Sequence, residues 1–102
     1  MTRIFKYPLN DREAVQIIEM PRNAQIISVG TDPIGNVCIW AAIEEKQPNK
    51  EKRIIYRIGT GWPIELIIGE NAKKFDFIGS VKDGEYMWHI FDGGLEEYGD
   101  LI

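Results

Sequence analysis

The feature that most constrains this chain is a series of short apolar runs, most of them ended by proline, glycine or aspartate and the others by charged residues. The runs recur about every ten to fifteen residues, which is the spacing typical of an all-β sandwich or barrel. No segment keeps a 3.6-residue apolar period, and no internal repeat is visible. We predict strands near residues 3–7, 15–20, 25–29, 37–43, 53–58, 74–81 and 86–91.

These runs predict a small, single-domain, mostly antiparallel all-β fold, a sandwich or barrel of six to eight strands. Residues 1–91 are expected to form the β-domain, and residues 92–102 an acidic C-terminal tail. The Asp83-Gly84 pair between two strand-like runs predicts a hairpin. The run 64–68 is short enough to fit a strand or a helical turn equally well.

Cysteine content and hydropathy indicate the cellular compartment of such a chain. Its single cysteine, Cys38, cannot form an internal disulfide and lies in an apolar run, which fits a reducing compartment. No apolar run approaches the roughly 20 residues of a membrane helix, and the charged N-terminus does not resemble a signal peptide. We therefore expect a soluble protein in the cytoplasm, with no membrane partner.

The net charge of −4 is unevenly distributed along the chain. Residues 92–102 carry four acids and no base, whereas residues 1–91 carry 12 acids and 12 bases. A neutral body with an acidic tail is a poor match for duplex nucleic acid, because neutralised phosphates supply most of that affinity. We expect no duplex nucleic-acid partner.

The inventory of catalytic side chains is small. The one histidine, His89, alternates with Met87 and Phe91, so it is expected to be partly buried and hydrogen-bonded rather than catalytic. Cys38 lies in the most apolar run, where its thiolate is disfavoured. No metal-ligand spacing is present. We predict no enzyme activity, no catalytic residues, no metal and no cofactor.

The most distinctive local feature is a turn with two glycines and a tryptophan, preceded by two arginines. Its backbone N–H groups could receive an anion, the tryptophan could stack on a ligand, and the arginines could add charge-assisted hydrogen bonds. The alternative is a tight turn whose tryptophan caps the core. The candidate ligand-binding residues are Arg53, Arg57, Gly59, Thr60, Gly61 and Trp62.

The strand before this turn alternates cleanly, with two arginines on one face and three apolar residues on the other. We interpret the face of Arg53 and Arg57 as solvated, or as an interface in an oligomer. Trp40 and Trp88 fall within strand patterns and are expected in the core.

The acidic tail follows Gly93-Gly94, which we interpret as a flexible joint. Apolar residues alternate with its acids, so the tail could fold back over a sheet edge, fray, or dock on a partner or a neighbouring subunit. The candidate partner-binding residues of the tail are Leu95, Tyr98, Leu101 and Ile102.

Several motifs in order resemble a family of short proteins of unknown function that are common in bacteriophage genomes and prophages. The motifs are Ile-Phe-Lys-Tyr-Pro-Leu at 4–9, Cys-Ile-Trp-Ala at 38–41, Arg-Ile-Gly-Thr-Gly-Trp-Pro at 57–63, Phe-Ile-Gly-Ser-Val at 77–81 and Trp-His-Ile-Phe at 88–91. The similarity runs from about residue 4 to residue 91. This chain departs from the family in a longer segment at 64–74 and in its extended tail. The resemblance implies a cellular context, the phage-infected bacterium, and carries no site residues with it.

Together these observations lead to a functional hypothesis. We expect a non-catalytic, phage-type binding protein in the cytoplasm of the bacterial host, a counter-defence or host-takeover factor. It would act by stoichiometric binding of a host protein or of a small nucleotide-like signal. One alternative is a structural β-domain of a virion or oligomeric scaffold, for which a homo-oligomer is possible. A second is an enzyme of unrecognised type.

Overall fold

A computed structural model describes residues 1–69 and 74–96, which contain seven strands and one short helix. The strands are β1 (Thr2–Pro8), β2 (Val15–Pro21), β3 (Gln25–Thr31), β4 (Val37–Glu44), β5 (Lys50–Gly59), β6 (Asp76–Asp83) and β7 (Tyr86–Leu95), and the helix is α1 (Ile64–Ile68). The predicted all-β fold is confirmed, and the ambiguous run 64–68 is helical. Within the described residues, no helix is both long and apolar enough to cross a membrane.

The strands form two separate sheets. One has three strands in the order β1-β4-β3, and the other has four in the order β2-β5-β7-β6. Every pairing is antiparallel. Because neither sheet closes on itself, the fold is a sandwich and not a barrel. The hairpin predicted at Asp83-Gly84 joins β6 to β7, and Gly84 adopts the positive φ of 61° that this tight turn requires.

The core lies between the two sheets and follows the two-residue period of their strands. On β4, the inward-facing residues Ile39, Ala41 and Ile43 are almost fully buried. They pack in one cluster with Ile55 of β5 and Ile90 of β7. The middle of the sandwich is therefore a continuous apolar layer, which is the main source of its stability.

The other face of β4 carries Cys38 and Trp40. The Cys38 thiol is fully buried beneath the β3–β4 loop, 3.7 Å from Oδ2 of Asp32 and 3.4 Å from the carbonyl oxygen of Asn36. Burial raises the pKa of this thiol, so the thiolate is disfavoured. The prediction that Trp40 lies in the core is wrong, because its ring lies half-buried on the outer face of β4.

The prediction for the arginine face of β5 is also wrong. Arg53 and Arg57 share the inward face with Ile55, so both point into the sandwich and are buried. The opposite face is buried as well, because the segment before β6 covers it. There Phe75 packs on Tyr56 with ring centroids 5.8 Å apart. In a strand buried on both faces, the more apolar face need not be the inner one, so the alternation of β5 did not identify the face that points into the sandwich.

The last strand continues beyond the predicted start of the tail. β7 runs to Leu95, and both Asp92 and Gly93 are buried within it. A Cβ atom on Gly93 would lie 2.6 Å from the Tyr56 ring, so this glycine permits close packing and is not a flexible joint. Leu95 ends the strand and is half exposed. The other candidate tail residues, Tyr98, Leu101 and Ile102, lie outside the described residues.

A close approach between the sheets gives a first test of the fold. Edge strands β3 and β6 lie against each other, and a Cβ atom on Gly79 would lie 2.8 Å from Cγ1 of Val29. We expect Gly79→Ala to lower the free energy of unfolding by about 1–3 kcal/mol, because the stiff valine cannot move aside. Adding Val29→Ala should recover part of this loss. Urea denaturation of the two single variants and the double variant would show strict additivity if the contact does not exist.

Candidate functional site

A cleft of about 730 Å³ opens at one end of the sandwich. Three connections from distant parts of the sequence surround it: the β1–β2 loop, the β3–β4 loop and the β6–β7 hairpin. Its floor is formed by two residues from the central strands of the larger sheet, Arg57 and Trp88. The lining residues are Pro8, Leu9, Asn10, Asp11, Arg12, Gly35, Asn36, Val37, Arg57, Asp83 and Trp88.

Arg57 is the buried charge of this cleft. It is only 4% exposed, because the alternation of β5 directs it between the sheets. Its Nε donates a hydrogen bond of 3.1 Å to the carbonyl oxygen of Glu13, and its Cζ lies 4.0 Å from the centre of the Trp88 ring. The guanidinium is therefore fixed both by a hydrogen bond and by a cation–π contact.

One end of the same guanidinium is left without a partner. The Nη1 atom of Arg57 is buried and has no hydrogen-bond partner among residues 1–69 and 74–96. Burial lowers the pKa of Arg57, while the more distant carboxylates of Asp11 and Asp83 raise it. Buried polar groups in proteins are nearly always hydrogen-bonded, and a charged one left unpaired is costly. A guanidinium in this state beside a cleft can receive an anion.

Arg53 provides a matched comparison on the same face of the same strand. Its Nη2 donates to Oδ2 of Asp92 at 2.8 Å, and its Nη1 donates to the carbonyl oxygen of Ala24 at 2.8 Å and to Glu51 at 3.2 Å. Lys74 approaches the Asp92 carboxylate to 3.4 Å. This arginine is neutralised by the protein itself. It lines a second, smaller cleft of about 420 Å³ at the opposite end of the sandwich, where its guanidinium already has protein acceptors.

Gln16 determines the shape of the loop beside Arg57. This side chain is 5% exposed, and its Oε1 accepts a 2.7 Å hydrogen bond from the backbone N–H of Asn10. Its Nε2 donates to the carbonyl oxygen of Glu13 at 2.8 Å. Because the same carbonyl accepts from Arg57, one buried amide positions the loop and the acceptor that orients the guanidinium.

The glycine-rich turn after β5 lies behind the cleft wall and not within it. The N–H of Trp62 donates to the carbonyl oxygen of Gly59 at 3.1 Å, and the N–H of Thr60 donates to that of Met87 at 3.4 Å. These two amides are thus already occupied. The Trp62 ring packs edge-on against Trp88 at 5.3 Å, and a Cβ atom on Gly59 would lie 2.8 Å from Trp62.

The six candidate ligand-binding residues are therefore separated by the structure. Arg57 lines the cleft, and Trp62 supports Trp88 from behind. Thr60 and Gly61 lie in the exposed part of the turn, where Gly61 has a φ of 87° that favours glycine. Arg53 lies at the far end of the sandwich.

His89 lies on the outer face of the larger sheet, away from the cleft. It is half-buried, and its ring nitrogens lie 2.8 Å from Oγ1 of Thr60 and 2.7 Å from Oγ of Ser80. Both nitrogens are thus hydrogen-bonded, as the sequence predicted. In the part of the chain that the structure describes, no three histidine, cysteine, aspartate or glutamate side chains converge to hold a metal ion.

Sequence reasoning missed most of the cleft. The polar residues it did not single out come from three turns: Asn10, Asp11, Arg12, Asn36 and Asp83. Each turn carries a local signal, since asparagine, aspartate and glycine favour tight connections. No local pattern indicates that the three turns meet at one end of a sandwich.

Fold and site together define the class of protein: a small antiparallel β-sandwich with an arginine-floored polar cleft at one end. The chain belongs to a domain family of unknown function, DUF7352, whose family model matches residues 1–98. No curated protein and no solved structure matches the chain.

The two buried arginines should respond differently to the same substitution. Arg53→Met leaves the buried Asp92 carboxylate with only Lys74 and the Gly94 N–H as partners among the described residues, and breaking a buried pair in this way costs about 3–5 kcal/mol of unfolding free energy. Arg57→Met removes an unpaired charge while keeping the apolar stem, so we expect a change of within about 1 kcal/mol. Urea denaturation of both variants measures this difference. Equal losses would show that Arg57 is as fully compensated as Arg53.

The Arg53–Asp92 pair also predicts a pH dependence. Burial opposes ionisation of Asp92, but hydrogen bonds from the Gly94 N–H and Arg53, with the charge of Lys74, outweigh it and lower its pKa. A depressed folded-state pKa gives stability above the unfolded value of about 3.9, and this stability is lost as the pH falls through the folded value. The stability difference between the wild type and Asp92→Asn should therefore shrink below about pH 4. A difference that is constant from about pH 7 to about pH 2 would contradict it.

Proposed function

We propose that this protein is a non-catalytic binding protein that holds a small anionic ligand in the end cleft, with Arg57 as its main anion contact. The observation that carries the proposal is the buried Nη1 of Arg57, which has no hydrogen-bond partner among the described residues. A phosphate or carboxylate oxygen would supply the missing acceptor through a charge-assisted hydrogen bond.

The surroundings of Arg57 favour binding with little reorganisation. Trp88 and the Glu13 carbonyl already hold the guanidinium in one orientation, so little side-chain entropy remains to be lost when a ligand binds. Arg12 also lines the cleft and adds a second positive charge. The open side of the cleft leaves a path for entry.

The resemblance to phage proteins supports a role for such binding. In the cytoplasm of an infected bacterium, a small protein that sequesters a phosphate- or carboxylate-bearing signal would counter host defence or redirect host metabolism without catalysis. A nucleotide signal belongs to this chemical class. Sequestration is stoichiometric, so it requires a preformed site and not a catalytic group.

We expect inorganic phosphate to bind the wild-type chain and to shift the backbone amide resonances of the β1–β2 and β3–β4 loops in ¹⁵N–¹H spectra. Arg57→Met should weaken this binding by at least about tenfold, because the charge-assisted hydrogen bonds are lost. Arg57→Lys keeps the charge without the planar fork, so it should bind with intermediate affinity. Native mass spectrometry of chain purified gently from bacteria should show a retained small-molecule mass for the wild type and not for Arg57→Met.

Arg22→Met is the matched control, because it removes the same charge from an exposed position outside the cleft. Phosphate affinity should be unchanged in this variant. If Arg57→Met and Arg22→Met bind phosphate equally, general surface charge accounts for the binding. If phosphate shifts no loop resonance and the purified wild type carries no extra mass, the proposal fails.

A further inference from the structure

We propose that the ligand of this cleft combines two groups: an anionic group held at Arg57, and nitrogen hydrogen-bond donors that lie against Asp11 and Asp83. This inference rests on the proposed function, since it assumes that Arg57 binds an anion. It adds the second half of the ligand, which the charge pattern of the cleft determines.

The carboxylates of Asp11 and Asp83 are available to accept hydrogen bonds from a ligand in the cleft. Both line it, and both lie near enough to Arg57 to act on its charge. Within residues 1–69 and 74–96, neither forms an ion pair or a side-chain hydrogen bond. Asp83 is half-buried at the end of β6, so part of its hydration is already lost.

The formal charges of the lining balance. Arg12 and Arg57 contribute two positive charges, and Asp11 and Asp83 contribute two negative ones. A bare anion at Arg57 is attracted by the arginines but repelled by both carboxylates. A ligand that also presents an ammonium or amino group turns the second interaction into an attraction. The cleft therefore selects for an anionic group and a nitrogen donor in one small molecule.

The cleft cannot select a ligand by stacking an aromatic ring of that ligand on Trp88. One face of the Trp88 ring is covered by the Arg57 guanidinium at 4.0 Å, and the ring is only 9% exposed. Tyr86 stacks on Trp88 at 5.6 Å, and Trp62 packs against it edge-on. Nitrogen donors, and not a flat ring system, are thus the ligand feature that the lining can recognise.

Two sources share this chemistry: a small amino phosphate or amino acid, and a nucleotide whose base edge carries an amino group. Two matched pairs of probes separate them. Phosphoethanolamine and ethyl phosphate differ by an ammonium group in place of a hydrogen atom on the terminal carbon. AMP and purine riboside 5′-monophosphate differ by the exocyclic amino group alone.

The experiment measures the affinity of all four probes for the wild type, Asp11→Asn, Asp83→Asn and Arg57→Met by ¹⁵N–¹H titration. The wild type should prefer the amino member of at least one pair by about tenfold, as expected for a hydrogen bond to a charged group. The aspartate variants should lose this preference. They should also bind ethyl phosphate more tightly than the wild type does, because a repulsive charge is gone.

A preference for phosphoethanolamine within the first pair identifies a small amino phosphate as the ligand class. A preference for AMP within the second pair identifies a nucleotide whose base carries an amino group. Equal affinity within both pairs overturns this inference but leaves the proposed function intact, provided that Arg57→Met weakens the binding of all four probes. If Arg57→Met binds them as the wild type does, the proposed function itself fails. Weaker binding of ethyl phosphate by Asp83→Asn than by the wild type would also overturn the inference, since it would show that the carboxylate does not repel the anion.

Discussion

The arrangement of this sandwich depends on the burial of β5 on both of its faces. Its inner face places an isoleucine, Ile55, between two arginines, so the apolar core is bounded at each end by a guanidinium. Its outer face is covered by the aromatic contact between Tyr56 and Phe75. In a domain of 102 residues, two buried cations are a large electrostatic cost to set against a small core. How each cation is compensated therefore decides which end of the molecule is structural and which can be functional.

The cleft end is connected by a continuous series of side-chain contacts although it is built from loops. Gln16 holds the β1–β2 loop, the loop presents the Glu13 carbonyl to Arg57, and Arg57 lies on Trp88. Behind this row, Trp62 packs against Trp88. Each member restricts the next, so the unpartnered end of the guanidinium has a defined position. Such preorganisation reduces the entropic cost of binding, which an arginine on a mobile loop would have to meet in full.

The positions of the strands could be predicted from the sequence, but the face of β5 that points into the sandwich could not. All seven strands were predicted because proline, glycine and asparagine interrupt apolar runs at local positions that need no tertiary information. The inner face of β5 was assigned wrongly because its three apolar outer residues outweigh one isoleucine between two arginines. The cover over that outer face comes from a segment more than ten residues away along the chain. Gly93-Gly94 likewise resembled a linker, whereas Gly93 is a strand residue against Tyr56.

The different roles of the two arginines trace to the neighbouring strand β7. In the antiparallel register Arg57 lies opposite Ile90, whose neighbours on the same inward face are Asp92 and Trp88. Asp92 contacts Arg53, and the Trp88 ring contacts Arg57. A carboxylate neutralises the guanidinium it faces. An indole attracts a cation by about 0.5–2 kcal/mol and orients it, but it leaves the formal charge uncompensated. One alternation along β7 thus gives the same residue type an ion pair at one end of the core and, within the described residues, an unpartnered guanidinium nitrogen at the other. An unpartnered buried charge of this kind costs stability in the free protein, and under the proposed function a ligand that supplies the missing acceptor recovers that cost on binding.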